Sequence, residues 1–246
     1  MEKCTGGLQV KIYEFDTVDS TNSEALRIMK ETGDMSFAVS SNVQTAGRGR
    51  FNRVWQTPRG NVAVTIVVPV PENKNEMSTI ALVTGLAIYD VLSSLVTKSR
   101  TLTIKWPNDI LINGAKVSGT LVEANEKALF VGVGINRVAK PEDIGYPTVT
   151  LGEITDADTS NLVHSLVERW EDYYDMWQTY GFGALVASYN SRMHFFGESI
   201  RFSLDENKQH WISGNCKGID EKGHLLIEDK NGNVSSHFSG EFESPL

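Results

Sequence analysis

The residues best suited to chemistry in this chain are two arginines set among glycines at residues 47–50. Glycine lets the backbone approach a ligand closely and adopt dihedral angles that other residues resist. The guanidinium groups of Arg48 and Arg50 carry permanent charge and forked donors that suit carboxylate and phosphate oxygens. A solvated surface loop explains such arginines equally well when they stand alone. The interleaved glycines and the aromatic residues Phe51 and Trp55 favour a loop that binds a ligand.

Two further polar segments follow downstream. Residues 105–109 read Lys-Trp-Pro-Asn-Asp, which sets an amide and a carboxylate side by side at Asn108 and Asp109. Residues 116–119 read Lys-Val-Ser-Gly and so place Lys116 close to Gly119. A single lysine on a strand is usually solvated, so both segments gain meaning only in combination with the glycine-arginine loop.

Familiar nucleotide-binding motifs are missing from the sequence. The glycine-rich stretches at residues 47–52 and 132–137 both lack the third glycine of the dinucleotide fingerprint. No Gly-Lys-Ser/Thr sequence of the Walker A type occurs. A Rossmann or P-loop enzyme is therefore disfavoured.

Composition limits the classes of protein to which the chain can belong. Of its 246 residues, 40% are hydrophobic and 22% are charged, which is ordinary for a globular protein. The net charge of −8 weighs against nucleic acid as a partner, since phosphate binding needs concentrated basic surface. Cys4 and Cys216 are too few for a disulfide framework and lack metal-ligand spacing. No apolar run approaches about 18 residues and no signal-peptide core is visible, so we expect a cytoplasmic enzyme without a membrane partner.

Hydrophobic spacing predicts the elements that must position these residues. The capping-box spacing of Thr21 and Glu24 predicts the start of a helix after a first strand at residues 10–15. Asn113-Gly114 between two apolar runs predicts a tight hairpin that places Asp109 and Lys116 on neighbouring strands. Further strands are predicted at residues 37–41, 61–68, 102–105, 120–123 and 129–136, and helices at 76–97 and 162–177.

The last part of the chain predicts a second, smaller unit. Gly181 interrupts the helical spacing that runs through Trp170 and Trp177. From Ile200 onward short strands alternate with tight turns, as in a small β-barrel or sandwich. We therefore expect a domain boundary near Gly197.

The combination of residues 19–22 (Asp-Ser-Thr-Asn) with the loop and the two downstream segments resembles the biotin protein ligases, the biotin–[acetyl-CoA-carboxylase] ligases. The resemblance implies an α+β fold. Residues 1–196 would form a biotin- and ATP-binding catalytic domain, a mixed, largely antiparallel sheet with flanking helices as in class II synthetases. Residues 197–246 would form an SH3-like β-barrel. The implied reaction makes biotinyl-5′-AMP and pyrophosphate from biotin and MgATP, then transfers biotin to a lysine of a biotin carboxyl carrier domain.

The resemblance also assigns roles to individual residues. Those implied in catalysis are Lys116, Arg48, Arg50 and Asp109. Asp109 is also the implied Mg²⁺ ligand, because one carboxylate suffices beside phosphate oxygens and water. Those implied in biotin binding are Ser20, Thr21, Asn22, Gln44, Gly47, Arg48, Gly49, Arg50, Lys116 and Gly119. Those implied in ATP and adenylate binding are Arg48, Arg50, Trp55, Asn108, Lys116 and Asn136.

The chain departs from the family pattern in two places. The family loop usually continues Arg-Gly-Arg after its fourth residue, whereas this chain has Phe51-Asn52-Arg53, with one cation and one glycine fewer. Residues 240–246 match the family's last strand poorly. Because eighteen residues precede Asp19, we expect the monofunctional form without a winged-helix DNA-binding domain.

Alternative interpretations stay open at this point. A lipoate or octanoate ligase of related fold is the nearest rival, and a non-catalytic sensor of biotin or biotinyl-AMP is the second. Individual residues also have plainer explanations: a helix cap for Ser20–Asn22, a core aromatic residue for Trp55 and turn chemistry for Asn136. The sequence does not decide between a monomer and a homodimer.

Overall fold

The larger part of the molecule is built on a seven-stranded sheet. The structure, a computed structural model, describes residues 10–141, 145–205 and 208–243. The strands lie in the order β1-β2-β3-β7-β6-β5-β4, with β1 and β2 parallel and the other neighbours antiparallel. The predicted α+β class with a mixed, largely antiparallel sheet is confirmed. The strands are β1 Lys11–Val18, β2 Phe37–Gln44, β3 Val62–Pro69, β4 Leu102–Lys105, β5 Asp109–Ile112, β6 Ala115–Ala124 and β7 Ala128–Ile135.

Helices cover both faces of this sheet because its central strands are apolar on both sides. Strand β3 is buried from Val62 to Val68, as its β-branched run predicts. On one face, Ala25 and Ile28 of α1 join a small cluster with residues of β2, β3 and β7. On the other face, α2 and α3 pack into the main core. The helices are α1 Thr21–Thr32, α2 Ile80–Ser93, α3 Leu162–Tyr180 and α4 Val186–Asn190.

The start of α1 differs from the prediction. The N-cap residue is Ser20, and its side chain makes no capping hydrogen bond. Thr21 is the first helical residue, and its amide and hydroxyl both donate to Oε1 of Gln44, at 2.8 and 3.1 Å. Glu24 pairs with Arg27 instead of reaching back to the cap. The predicted capping box of Thr21 and Glu24 is therefore wrong. The free backbone N–H of Thr21 at the start of the helix donates to the distant Gln44 and not to a local capping side chain.

The predicted hairpin at residues 109–117 is confirmed. Strands β5 and β6 are joined by Asn113 and Gly114, whose φ angles are +50° and +80°. Positive φ at both central residues is what the tight two-residue hairpin requires, and asparagine and glycine are the residues that tolerate it. A register shift between Ile110 and Leu111 sets Asp109 opposite Gly119.

A second sheet packs against the first. Its strands are antiparallel and lie in the order β11-β10-β9-β8-β12. The indole Nε1 of Trp106 donates to the carbonyl of Gly223 at 2.9 Å, and buried side chains of both sheets join one core. A boundary near Gly197 stays a prediction. The strands are β8 Ser199–Ser203, β9 Trp211–Ile219, β10 Leu225–Glu228, β11 Val234–His237 and β12 Glu241–Phe242.

The most apolar helical stretch is Glu76–Ser93, which includes α2. By length and composition it could cross a membrane, with a mean hydropathy of 1.3 over 18 residues. It is not an uninterrupted apolar run in the sequence, because Glu76, Ser78, Thr79, Thr84 and Asp90 fall within it. The stretch is 61% buried within the protein, and α2 packs against α3 and the sheet.

Candidate active site

A cavity of about 710 Å³ lies on the α1 face of the large sheet, beyond the start of that helix. Every residue to which the resemblance assigns a role lines it except Gly47. Its floor includes three glycines on β6 and β7: Gly119, Gly132 and Gly134. A Cβ at Gly134 would lie 2.2 Å from the indole of Trp55, and one at Gly132 would lie 2.6 Å from Oδ1 of Asn22. Of these three glycines, only Gly119 was predicted as a site residue. The Gly-x-Gly spacing of residues 132–134 could have indicated a strand surface without side chains.

Lys116 is held at the centre of the cavity by an ion pair and two aromatic rings. Its Nζ lies 2.7 Å from Oδ1 of Asp109, and the two side chains are 14% and 23% exposed. The same Nζ lies 5.5 Å from the ring centroid of Trp55 and 5.7 Å from that of Tyr146, within cation–π range. A Cβ at Gly119 would come within 3.1 Å of this ammonium group. The hairpin and the glycine together fix the lysine.

Asp109 keeps some capacity to accept further donors. Its Oδ1 is buried and accepts no well-directed hydrogen bond, although the Lys116 ammonium lies close to it. Among the described residues, no group of three or more His, Cys, Asp or Glu side chains could hold a metal ion by itself. Any divalent cation at Asp109 would therefore need most of its ligands from a substrate or water.

A buried polar cluster surrounds the start of α1. Oε1 of Gln44 accepts from Thr21, while its Nε2 donates to Oγ1 of Thr57 at 2.9 Å. Thr65 Oγ1 lies 2.8 Å from Oγ1 of Thr21 and 2.6 Å from Oδ1 of Asn22. Nothing in the sequence pointed to Thr65, because a threonine inside an apolar strand carries no local functional signal, nor to Thr57, which lies between β2 and β3.

The amide of Asn22 is engaged at both ends by the protein. Its Oδ1 lies within hydrogen-bond distance of Thr65 Oγ1, and its Nδ2 donates to Oε2 of Glu123 at 2.7 Å. Gln44 is likewise engaged at both ends. Of the four polar residues predicted at this end of the cavity, Ser20 thus offers its hydroxyl group, whereas the side chains of Thr21, Asn22 and Gln44 are bonded to neighbouring side chains and orient one another.

The glycine-arginine segment forms a narrow, closed loop. Gly49 donates its amide to the carbonyl of Arg53 at 2.7 Å, and Trp55 donates to the carbonyl of Gly47 at 3.0 Å. A Cβ on Gly47 would lie 2.3 Å from the carbonyl oxygen of Trp55, so this glycine closes the loop and does not line the cavity. Phe51 at the tip has φ +57° and ψ +37°, the left-handed conformation that is costly for a bulky residue.

Two loop arginines reach β6 and the β4–β5 turn of the large sheet. Arg48 donates to both carboxylate oxygens of Glu123 on β6, at 3.1 and 3.3 Å. Arg50 donates to Oδ1 of Asn108 at 3.3 Å. Glu123 was predicted only as part of a strand, yet it joins Arg48 to Asn22 and so connects the loop with the start of α1.

The third arginine reaches the second sheet. Nη2 of Arg53 lies 2.6 Å from Oε1 of Glu241 on β12, and Lys208 Nζ lies 3.5 Å from the other oxygen. Glu241 and Phe242 line the cavity, so the C-terminal sheet forms part of its wall. The Arg53–Glu241 contact could not be anticipated, because 188 positions separate the two residues.

Positive charge dominates the lining of the cavity, although the whole chain carries a net charge of −8. Burial lowers the pKa of Lys105, and Asp109 opposes that effect. Concentrated cations in a partly enclosed site favour an anionic ligand. The lining cations are Arg48, Arg50, Arg53, Lys105, Lys116 and Lys208, and the lining carboxylates among the described residues are Asp109 and Glu241.

Asn136 follows β7 at the edge of the floor and is 2% exposed. Its side-chain Nδ2 lies 3.5 Å from the carbonyl oxygen of Lys116, whereas its Oδ1 is buried without a hydrogen-bond partner. A buried acceptor of this kind is costly unless a ligand supplies a donor. Cys216 is a free, buried thiol away from the lining, and Cys4 lies outside the described residues.

Comparisons with known proteins agree with this geometry. The model of the biotin/lipoate A/B protein ligase family matches residues 14–136. The chain is similar to a biotin–[acetyl-CoA-carboxylase] ligase of Paracoccus denitrificans, with 32% identity over 87% of this chain and 92% of the relative. It is also similar to a ligase of the same name from Mycobacterium tuberculosis, with 29% identity over 85% of this chain and 80% of the relative.

Among solved structures, the chain resembles a biotin protein ligase from Aquifex aeolicus in complex with biotin and ATP. The TM-score is 0.80 and the sequence identity is 29%, over 95% of this chain and 97% of the other. The likeness therefore extends over both sheets.

Proposed function

We propose that this chain, which belongs to the biotin/lipoate A/B protein ligase family and within it to the biotin protein ligases, activates biotin with MgATP and transfers it to a carrier protein. The first step would give biotinyl-5′-AMP and pyrophosphate. The second would acylate a lysine of a biotin carboxyl carrier domain of a carboxylase. The observation that carries the proposal is the convergence of Lys116, Asp109 and three loop arginines on one glycine-floored cavity.

The first step brings two anions together. A carboxylate oxygen of biotin forms a bond to the α-phosphorus of ATP while the bond from that phosphorus to the bridging oxygen breaks, and pyrophosphate leaves. Fixed cations stabilise the charge that accumulates on the phosphoryl oxygens, which matters more here than proton transfer. Lys116 is placed to contact both reactants, since Asp109 and Trp55 hold its ammonium group in the middle of the cavity.

Arg48 must exchange partners for this reaction. Its guanidinium is paired with Glu123 beside the α1 start, about where the biotin end of the cavity lies in the proposal. The pair is 41% and 39% exposed, so its rupture costs little, on the order of 0.2–1 kcal/mol. Arg48 can therefore turn from Glu123 to a substrate oxygen at small cost.

The residues present fit one Mg²⁺ that arrives with ATP. Asp109 and Asn108 would hold it, because Asp109 has a buried oxygen with spare acceptor capacity. When bound, such an ion neutralises phosphate charge and aids the departure of pyrophosphate. Asp109 is also our candidate for accepting the proton of the incoming lysine amine, which must be neutral to attack the acyl carbon and displace AMP.

The loop would protect the adenylate from water between the two steps. Biotinyl-5′-AMP is a mixed anhydride that hydrolyses readily, and a closed loop excludes solvent from it. The antiparallel closure of the loop by Gly47 and Gly49, with Trp55 against Gly134, supports this role.

The family name also covers lipoate ligases, so lipoate or octanoate stays the nearest rival substrate class. The ligases with 32% and 29% identity are named for biotin, which favours biotin. Titration calorimetry with biotin and with lipoate discriminates the two substrate classes. Tight binding of lipoate with no heat of binding for biotin would refute the assignment. A non-catalytic sensor would have no need of the Lys116–Asp109 pair.

The decisive experiment is an incubation with biotin, MgATP and a biotin carrier domain, followed by intact mass measurement. We expect the mass of one biotinyl group on the carrier. Lys116→Ala should abolish both this product and biotin-dependent exchange of pyrophosphate into ATP. Lys127→Ala, an exposed lysine at the β6–β7 turn, is the matched control and should behave as wild type. Robust exchange by Lys116→Ala would overturn the role of that lysine. A cytoplasmic location is proposed with the function and is checked by cell fractionation.

A further inference from the structure

The contact between the loop and the C-terminal sheet stands out among the interactions of the cavity. The Arg48 and Arg50 contacts end on residues near the proposed reactants. The Arg53 contact ends on Glu241, which belongs to a different sheet and has no part in the proposed chemistry. It is also the contact made by the segment in which this chain departs from the family pattern.

We propose that Glu241 is a positioning residue that fastens the adenylate-covering loop to the C-terminal sheet through Arg53. This inference rests on the proposed function for its meaning, because the loop is taken to retain biotinyl-5′-AMP. The contact itself is independent of that function and can be tested separately.

Glu241 is a firm anchor. It pairs with Ser203 in the β12–β8 ladder, and its neighbour Phe242 pairs with Phe202. The Phe242 ring is 3% exposed and packs 5.3 Å from the ring of Phe202 and 5.1 Å from that of Phe195, between centroids. A carboxylate on so well fixed a strand can restrain a loop, whereas one on a mobile segment cannot.

The loop side of the contact is braced as well. The carbonyl of Arg53 accepts a hydrogen bond from the amide of Gly49, which lies on the opposite side of the loop. A restraint on Arg53 therefore acts on both sides of the loop. The centroid of the Phe51 ring lies 4.8 Å from the guanidinium carbon of Arg50 and 5.6 Å from that of Arg53. Fixing Arg53 therefore also restrains Phe51 and Arg50, which lines the cavity.

The pair is exposed enough to open. The Arg53 and Glu241 side chains are 55% and 21% exposed, so the expected effect of its loss is about two- to fivefold, as for surface ion pairs. An effect of this size suits a loop that must admit ATP and later release AMP.

The first test compares Glu241→Ala with Glu243→Ala. Glu243, one residue beyond β12, is the matched control. Its carboxylate pairs with Arg201 at 2.5 Å, and among the described contacts it makes none with the loop. Release of preformed biotinyl-5′-AMP, followed by filter retention, should quicken two- to fivefold in Glu241→Ala and stay unchanged in Glu243→Ala. Pyrophosphate exchange should fall by a smaller factor than release rises, a split that general destabilisation would not produce.

The second test is trypsin cleavage after Arg48, Arg50 and Arg53 in protein without substrates. Glu241→Ala should be cut in the loop two- to fivefold faster than wild type and Glu243→Ala, with equal thermal midpoints. If wild type makes no biotinyl-5′-AMP, the proposed function fails and the trypsin comparison alone decides the contact. Equal loop cleavage of Glu241→Ala and wild type overturns the inference. If the wild type makes the adenylate, an unchanged release rate in Glu241→Ala also overturns it.

A double-mutant cycle then identifies the partner. If Glu241 acts through Arg53, the double variant Arg53→Ala/Glu241→Ala should release the adenylate no faster than either single variant. If the release rate of the double variant instead rises by the product of the two single effects, the two residues act separately and the pairing is overturned.

Discussion

Gly119→Ala should slow adenylate formation about tenfold while leaving the fold intact. A Cβ at this position would lie 3.1 Å from Cε and Nζ of Lys116 and 3.3 Å from Oδ1 of Asp109. Carbon contacts are comfortable only from about 3.5 Å, so the ammonium group must retreat by several tenths of an ångström. Misplacing a reacting group by about 1 Å costs on the order of 10²-fold in rate, so this smaller shift predicts about tenfold, or roughly 1.4 kcal/mol.

Stability should hardly change, because the crowded atoms are ends of side chains that can move. Alanine is also favoured over glycine within a strand by roughly 0.5–1 kcal/mol. The assay is the initial rate of biotin-dependent pyrophosphate exchange, read beside thermal unfolding. Gly183→Ala is the control, since a Cβ there meets only Glu221 at 3.7 Å, an ordinary contact away from the cavity. Exchange by Gly119→Ala within twofold of wild type would refute the claim that this glycine sets the position of Lys116.

Three more outcomes follow from the loop and the start of α1. Arg50→Gly should release biotinyl-5′-AMP faster while its formation changes less; equal release would show that Phe51 and Asn52 have already altered the loop. Phe51→Gly should change the unfolding free energy by less than about 1 kcal/mol, because relief at φ +57° offsets the lost cation–π contacts, yet trypsin should cut the loop faster. Hydrogen bonds from Arg27 lower the pKa of Asp19 to about 2 from 3.8, so the stability advantage of wild type over Asp19→Asn should be full above pH 4 and vanish as the pH falls through 2. Denaturant melts at several pH values check this last point, and an advantage that grows as the pH falls would contradict it.

Local patterns predicted the elements well where the decisive chemistry lies within a few residues. Asn113-Gly114 specified its hairpin because only a few residue types tolerate positive φ at two successive positions. That hairpin placed Asp109 and Lys116 on adjacent strands, where the fold joins them in an ion pair. The buried run in β3 was equally plain, since apolar β-branched residues suit a strand covered on both faces.

Partners that lie far apart in the chain could not be predicted in the same way. Gln44 took the place of a local cap at Thr21, and no periodicity reports a hydrogen bond across 23 positions. Glu123 and Glu241 looked like ordinary residues of their strands, because what distinguishes them is the arginine opposite each one. The sequence motifs thus indicated Arg48, Arg50 and Lys116 among the six lining cations, whereas only the fold shows that Glu123 and Glu241 pair with arginines of the loop.

Those carboxylates explain how a cluster of cations can exist in a folded protein before it meets an anion. Like charges brought together in a partly enclosed cavity repel one another, and burial adds a desolvation cost. Here Lys116 is paired with Asp109, Arg48 with Glu123 and Arg53 with Glu241, each within 3.1 Å. The reactants of the proposed first step are themselves anions, so they can replace Glu123 at Arg48 while the net charge around the guanidinium is preserved. The exposed Glu123 pair is therefore the one suited to exchange, the Asp109 pair is suited to hold its lysine in place, and the Glu241 pair is free to restrain the loop through both states.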